Sequence, residues 1–155
     1  MKKLLYFMIG FSIVGVSLST YAFLHNRGFA SGAICNINST INCDVVNKGP
    51  FSEFFGVSVA LIGLIGYTFL LIGSLLKLKT PDDRSLTLFL LALACGGFGF
   101  SLYLTSVEAF ILHAWCVVCV LSQLSMLGFI TATMLLAHKE NHFHSVFSRI
   151  KSFFR

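Results

Sequence analysis

Four stretches of about 20 residues, nearly free of charge, constrain this chain more than any other feature; they run over about 4–24, 54–76, 85–107 and 114–137. A helix rises 1.5 Å per residue, so about 20 apolar residues cross a hydrocarbon core about 30 Å thick. A chain of 155 residues that spends most of its length this way has no room for a second, soluble module. Its charged residues make up 11% of the total, where a soluble domain has about 25%. The expected fold is therefore all-α: a four-helix bundle in the membrane, one domain over 1–155, with a long loop between helices 1 and 2. The first run follows Lys2 and Lys3, as a signal peptide would. It is longer than the usual apolar core of such a peptide, and Ala30-Ser31-Gly32-Ala33 is a weak cleavage site, so an uncleaved helix is expected.

The formal net charge is +5. The basic residues lie between and beyond the apolar runs, and no basic patch alternates with exposed aromatics, so nucleic-acid binding is not expected. Four crossings place both ends on one side. Lys2, Lys3, Lys77, Lys79, Arg84, Lys139, Arg149, Lys151 and Arg155 then share that side, against Arg27 and Lys48 on the other. The positive-inside rule puts both termini in the cytoplasm. The tail over 138–155 is basic and carries Phe143, Val146, Phe147, Ile150, Phe153 and Phe154 at spacings suited to an amphipathic helix on the inner leaflet.

This topology places four of the five cysteines on the oxidising side, where disulfides persist. Cys35 and Cys43 lie in a loop rich in Asn and Ser; Cys116 and Cys119 form a C-x-x-C at the head of the fourth run. A thiol at a helix start meets unpaired N–H groups and the positive end of the helix dipole, which stabilise the thiolate that reacts. A mobile pair beside a fixed pair permits a relay by thiol–disulfide exchange. Two inert disulfides stapling the outer loops are the competing explanation. A zinc site is poorly matched by the C-x7-C spacing, and no metal is expected. Cys95, inside the third run beside Gly96, Gly97 and Gly99, is expected to be a small packing residue. Glu108 and His113 are candidates for proton transfer, or simply interfacial. Phe51, Phe54 and Phe55 are expected to lie on the membrane surface.

Taken together, Cys35-x7-Cys43-Asp44-Val45-Val46, Gly49-Pro50-Phe51-Ser52, the run from Phe55-Gly56 through Gly63 and Gly66 to Tyr67, and Cys116-Val117-Val118-Cys119 resemble the vitamin K epoxide reductase family over nearly the whole chain. The resemblance implies a four-helix bundle around a quinone of the ubiquinone or menaquinone type. It implies Cys116 and Cys119 as the active-site pair, with Cys119 next to the quinone. Cys43 and Cys35 match the shuttle pair, Cys43 pairing with Cys116 and Cys35 meeting the partner. Phe51, Phe55 and Gln123 are the further candidate quinone contacts. Two positions depart from the family pattern: Gly49 stands where many members have Ser, and Gln123 where vertebrate members have Tyr. Many bacterial members carry a fused thioredoxin-like domain, so the partner implied here is a separate thioredoxin-like periplasmic protein. The expected function is a membrane thiol–disulfide oxidoreductase of a bacterial inner membrane, passing electrons from that partner to quinone. The alternatives are a quinone or epoxide reductase acting for quinone recycling, and a non-enzymatic membrane protein with structural disulfides.

Overall fold

In lipid, a backbone must satisfy its own hydrogen bonds, and each apolar run does so by winding into a helix. A computed structural model describes residues 2–31, 36, 42–49, 51–81 and 83–153, with side chains as far as residue 140. Its elements are α1 (Lys2–Asn26), α2 (Cys43–Asn47), β1 (Glu53–Phe54), β2 (Val57–Ser58), α3 (Val59–Lys79), α4 (Arg84–Val107), a π-helical turn (Glu108–Leu112) and α5 (Val117–Phe153). Four helices, α1, α3, α4 with its π-turn, and the first part of α5, are long and apolar enough to cross a membrane. They form a closed ring: α1 packs on α3 and α5, and α4 completes the circle between them. Large apolar side chains such as Phe7, Phe69 and Phe89 point outward and are more than half exposed. That is the inverse of a water-soluble surface and suits lipid. Hydroxyls within the helices donate to the carbonyl four residues back, as Ser12 does to Met8 and Ser74 to Leu70, so they bring no unmet polar groups into the bundle.

The interior is packed in two separate clusters. The larger joins Leu5, Met8, Tyr67, Leu70, Leu90, Phe129 and Leu136. The smaller surrounds Ala22, Cys43, Cys116 and Val118 at the opposite end. Beyond the larger cluster, fully buried Lys77 locks three helices together. Its Nζ lies 2.8 Å from Glu140 Oε1 on α5 and donates to the Asp83 carbonyl ahead of α4 at 2.6 Å. Thr87 of α4 donates to the same Glu140 oxygen at 3.1 Å. Asp83 also caps α4 by accepting from the Leu86 N–H.

Three segments differ from the sequence expectation. Residues 54–58, expected to open the second crossing, belong to a hairpin with Glu53 opposite Ser58 and Phe54 opposite Val57. Its two turn residues, Phe55 and Gly56, have φ of 52° and 78°. Positive φ at both positions is what a tight two-residue hairpin turn requires, and hydropathy alone does not register it. The connection after Val107 is a π-turn that ends at His113, with φ of 48°. The tail expected as a separate surface helix continues α5 without a break to Phe153.

Gly15 shows how closely the helices approach. A Cβ there would lie 2.1 Å from the Tyr67 ring, and Tyr67 is held by donating its hydroxyl to the Ser122 carbonyl at 2.6 Å. Gly15→Ala is expected to destabilise the bundle by about 1–3 kcal/mol through overpacking. Gly10→Ala, whose Cβ meets nothing within 4 Å, is expected to be neutral or mildly stabilising. Thermal unfolding of both variants in detergent checks the contrast.

Candidate functional site

α5 begins at Val117, which makes Cys116 its capping residue. The Cys116 carbonyl accepts the first helical bond, from the Val120 N–H at 3.0 Å. Its sulfur accepts from the Cys119 N–H at 3.3 Å. This is the position in which Ser, Thr or Asp normally caps a helix, accepting from the third helical residue. A thiolate fills it better than a thiol. Hydrogen bonding from the Cys119 side chain, reinforced by the Cys119 and Val118 backbone, holds the Cys116 thiol below its ordinary value, against burial and the nearby Glu108 charge.

The preceding loop delivers a second cysteine to the same point. Asn42 caps α2, its side chain accepting from the Asp44 and Val45 N–H groups. Its own N–H donates to the Trp115 carbonyl at 3.2 Å, which pins the loop to the residue just before Cys116. Asn36 accepts the Cys43 N–H at 3.0 Å. The outcome is a Cys43 Sγ to Cys116 Sγ separation of 3.3 Å, both residues being buried. Cys43 is disulfide-bonded, whereas Cys116 and Cys119 are free thiols. Cys35, the other candidate of the loop pair, lies outside the described residues.

Asp44 fastens α2 to the bundle. Its carboxylate is 2.7 Å from Lys48 Nζ and 3.2 Å from the Nε2 of fully buried His25, and it accepts from the Asn36 amide. The Lys48 hydrogen bond, then that of Asn36, lowers its pKa below the usual carboxylate value.

Beneath the cysteines the helices line a partly open cavity of about 330 Å³ between the two packed clusters. Cys119 forms part of its wall, with Ala22 and Ser19 of α1, Gly63 and Gly66 of α3, Gly97 and Phe100 of α4, and Ser122 of α5. The small residues among these leave the space open; Tyr67 and Leu70 line it towards the larger cluster. Pockets for organic ligands begin at about this size and have this mainly apolar character with a few polar groups.

The other candidates divide. Phe51 lines a smaller cavity next to the first, which Cys119 also borders. Phe55 is 93% exposed at the hairpin tip, away from both. Its neighbour Phe54 instead meets Phe100 edge-on, with ring centroids 5.5 Å apart. Gln123 is not among the residues lining either cavity; its Oε1 accepts from Thr105 at 3.2 Å, joining α5 to α4. His113 is exposed, while Glu108 is buried beside Cys116 and Cys119. Cys95, expected to pack between helices, is exposed on α4. No group of three or more potential metal ligands occurs among the described residues. Asn36, Asn42 and His25, which hold the loop in place, were not singled out from sequence. Asn directly before Cys43-Asp44 is nevertheless a helix-start signal.

Two outcomes follow from these contacts. Alkylation of Cys116 by a small haloacetamide should titrate below the ordinary thiol range of about 8.5, and Cys119→Ala should move the midpoint upward. For Asp44, the folded-state value is the lower one. Its contribution to docking α2 is therefore complete above the ordinary carboxylate value and is lost only as pH falls through the depressed value. Cleavage within 42–49 by an acid-active protease should begin at higher pH in Asp44→Asn than in the wild-type chain.

No curated protein matches the chain. A model of the vitamin K epoxide reductase family matches residues 6–135, which covers most of all four crossings, the described part of the loop and both cavities. The family carries a membrane redox function linked to quinones. With its four apolar helices, its buried cysteine cluster and this match, the chain belongs to the vitamin K epoxide reductase family.

Proposed function

We propose that the protein oxidises the dithiol of a separate, extracytoplasmic thioredoxin-like protein and passes the electrons through its two cysteine pairs to a quinone. The observation that carries this reading is the 3.3 Å contact between Cys43, a disulfide-bonded residue, and Cys116, a free thiol capping α5. Inert disulfides have no need of a thiol held against one of their sulfurs. The charge asymmetry supports a cysteine end outside, both termini in the cytoplasm, and a bacterial inner membrane as the compartment.

In this scheme the partner's dithiol reduces the Cys35–Cys43 disulfide and is itself oxidised. Cys43 thiolate then attacks Cys116 in a Cys116–Cys119 disulfide, forming a Cys43–Cys116 bond and releasing Cys119. Cys35 attacks Cys43 in turn, which restores the loop disulfide and leaves Cys116 and Cys119 as a dithiol. The free Cys116 and Cys119 beside a disulfide-bonded Cys43 correspond to this last stage. Low thiol pKa makes Cys116 a good leaving group when Cys35 attacks Cys43.

The large cavity fits a quinone head group in volume and in its mainly apolar wall, with Cys119 at its edge. When bound there, a quinone supplies a two-electron, two-proton acceptor. Cys119, Phe100 and Leu104, which line the cavity, would hold it there. The unsubstituted backbone at Gly63, Gly66 and Gly97 provides the room.

Purified protein in detergent, mixed with a reduced thioredoxin-like protein and a quinone, is expected to reduce the quinone as followed by absorbance. Cys35→Ala and Cys43→Ala should abolish the reaction with the protein substrate. Cys116→Ala and Cys119→Ala should abolish it with every reductant. Absence of quinone reduction by the wild-type chain, together with disulfides that resist mild reductant, would establish the structural role instead.

A further inference from the structure

Oxidising Cys116 and Cys119 to a disulfide releases two protons as well as two electrons. Cys116 is held as a good thiolate by its capping position, but Cys119 sits deeper, at the edge of an apolar cavity, and needs a specific group to take its proton. We propose that Glu108 is that group, and that the small cavity beside it is the path by which protons reach it from outside. This rests on the quinone-linked reaction proposed above and names the residue that handles its protons.

Three observations place Glu108 in this role. It is 3% exposed, yet among the described residues no Lys, Arg or His is ion-paired with it. A buried carboxyl without a cation is costly and is not retained for packing. Its contacts are to the reacting residues: Oε2 accepts the Cys116 N–H at 3.3 Å, and its carboxyl group interacts with the Cys119 thiol. The π-turn that carries it creates this geometry, because the Glu108 carbonyl receives the Ala114 N–H at 3.3 Å and folds the chain back over its own carboxyl. Such π-turns are frequent at functional sites.

The third observation is the space around it. Glu108 and Cys119 both border the large cavity and the smaller one. The smaller cavity, of about 40 Å³, is also lined by Asn47 and Ser58, both more than nine-tenths buried. Asn47 Nδ2 and Ser58 Oγ have no hydrogen-bond partner. A space this size accommodates a water molecule, and these polar atoms supply the partners that a buried water needs. The cavity extends past Asn26 and Ser52 towards the loop.

The balance is as follows. As the Cys116–Cys119 bond forms, two electrons leave for the quinone. The Cys119 proton passes to Glu108 and on to the reduced quinone. The Cys116 proton is already lost to the outside, and a second proton entering past Asn47 and Ser58 through Glu108 replaces it. Among the described residues, the titratable groups that face Glu108 are Cys116 and Cys119. From the other elements packed around this end, Asp44 is engaged by Lys48, Asn36 and His25, and Tyr67 is engaged by Ser122.

The test uses the full chain in detergent. Glu108→Gln keeps an acceptor for the Cys116 N–H and so preserves the fold of the turn. First, an infrared difference spectrum between dithiothreitol-reduced and oxidised protein, without quinone or partner, is expected to contain a carboxyl band that disappears in Glu108→Gln. Second, dithiothreitol-driven quinone reduction should fall about 100-fold or more in Glu108→Gln, the usual scale of a lost acid–base group. Its pH profile should flatten, and Glu108→Asp should recover part of the rate. Ser58→Ala should slow the reaction to a lesser degree while leaving the infrared band in place. A Glu108→Gln protein with the wild-type rate and pH profile overturns the proposal, as does a difference spectrum in which no band depends on Glu108. Failure of the wild-type chain to reduce quinone would instead overturn the electron route, a result the infrared measurement keeps separate.

Discussion

A helix that begins near a membrane surface leaves its first N–H groups without partners, and in this protein the Cys116 sulfur takes one of them. Much else is arranged around that bond. It fixes where α5 starts, turns Cys116 towards Cys43 and leaves Cys119 one turn deeper, at the wall of the cavity. It also joins stability to reactivity. A sulfur that caps a helix is better as an anion, so whatever stabilises the start of α5 also favours the thiolate, the more reactive form of a cysteine.

The two ends of the bundle are built in opposite ways. Away from the cysteines, Lys77, Glu140, Thr87 and the Asp83 carbonyl form one buried polar cluster across three helices, and the larger apolar cluster packs above it. Removing one charge from such a pair is costly because the other is left buried and alone. At the cysteine end, the loop is held by small contacts: the Asn42 N–H to Trp115, Asn36 to Cys43, and Asp44 to Lys48 and His25. Each is worth little beside the buried cluster. The difference leaves the helices held more firmly than the loop that carries Cys43.

Most of the architecture was legible in the sequence because lipid imposes a simple rule: long apolar runs become helices, and charges collect at their ends. The cysteine candidates were legible because C-x-x-C before an apolar run places one sulfur at a helix start. What escaped depends on backbone conformation or on contacts distant in the chain. The turn at Phe55-Gly56 interrupts an apolar run without changing its hydropathy, so α3 begins at Val59 and Phe55 points away from the cavity. Gln123 was a candidate quinone contact through the family resemblance, but Thr105 one helix away donates to its carbonyl. Glu108 was legible as a candidate, though not its contact with both cysteines, which follows from a π-turn that no residue pattern announces.

The glycines of the cavity wall are separate from the chemistry, and this gives the protein two independent degrees of freedom. A Cβ at Gly66 would meet nothing within 4 Å, and one at Gly63 or Gly97 would touch only the end of a Ser19 or Met126 side chain. A methyl group can therefore be added at Gly66 freely, and at Gly63 or Gly97 with a small shift of the neighbouring side chain. The shape of molecule admitted is set by such increments, while the cysteines above stay where they are. Descendants of a chain like this one are free to change what they accommodate long before they change how they react.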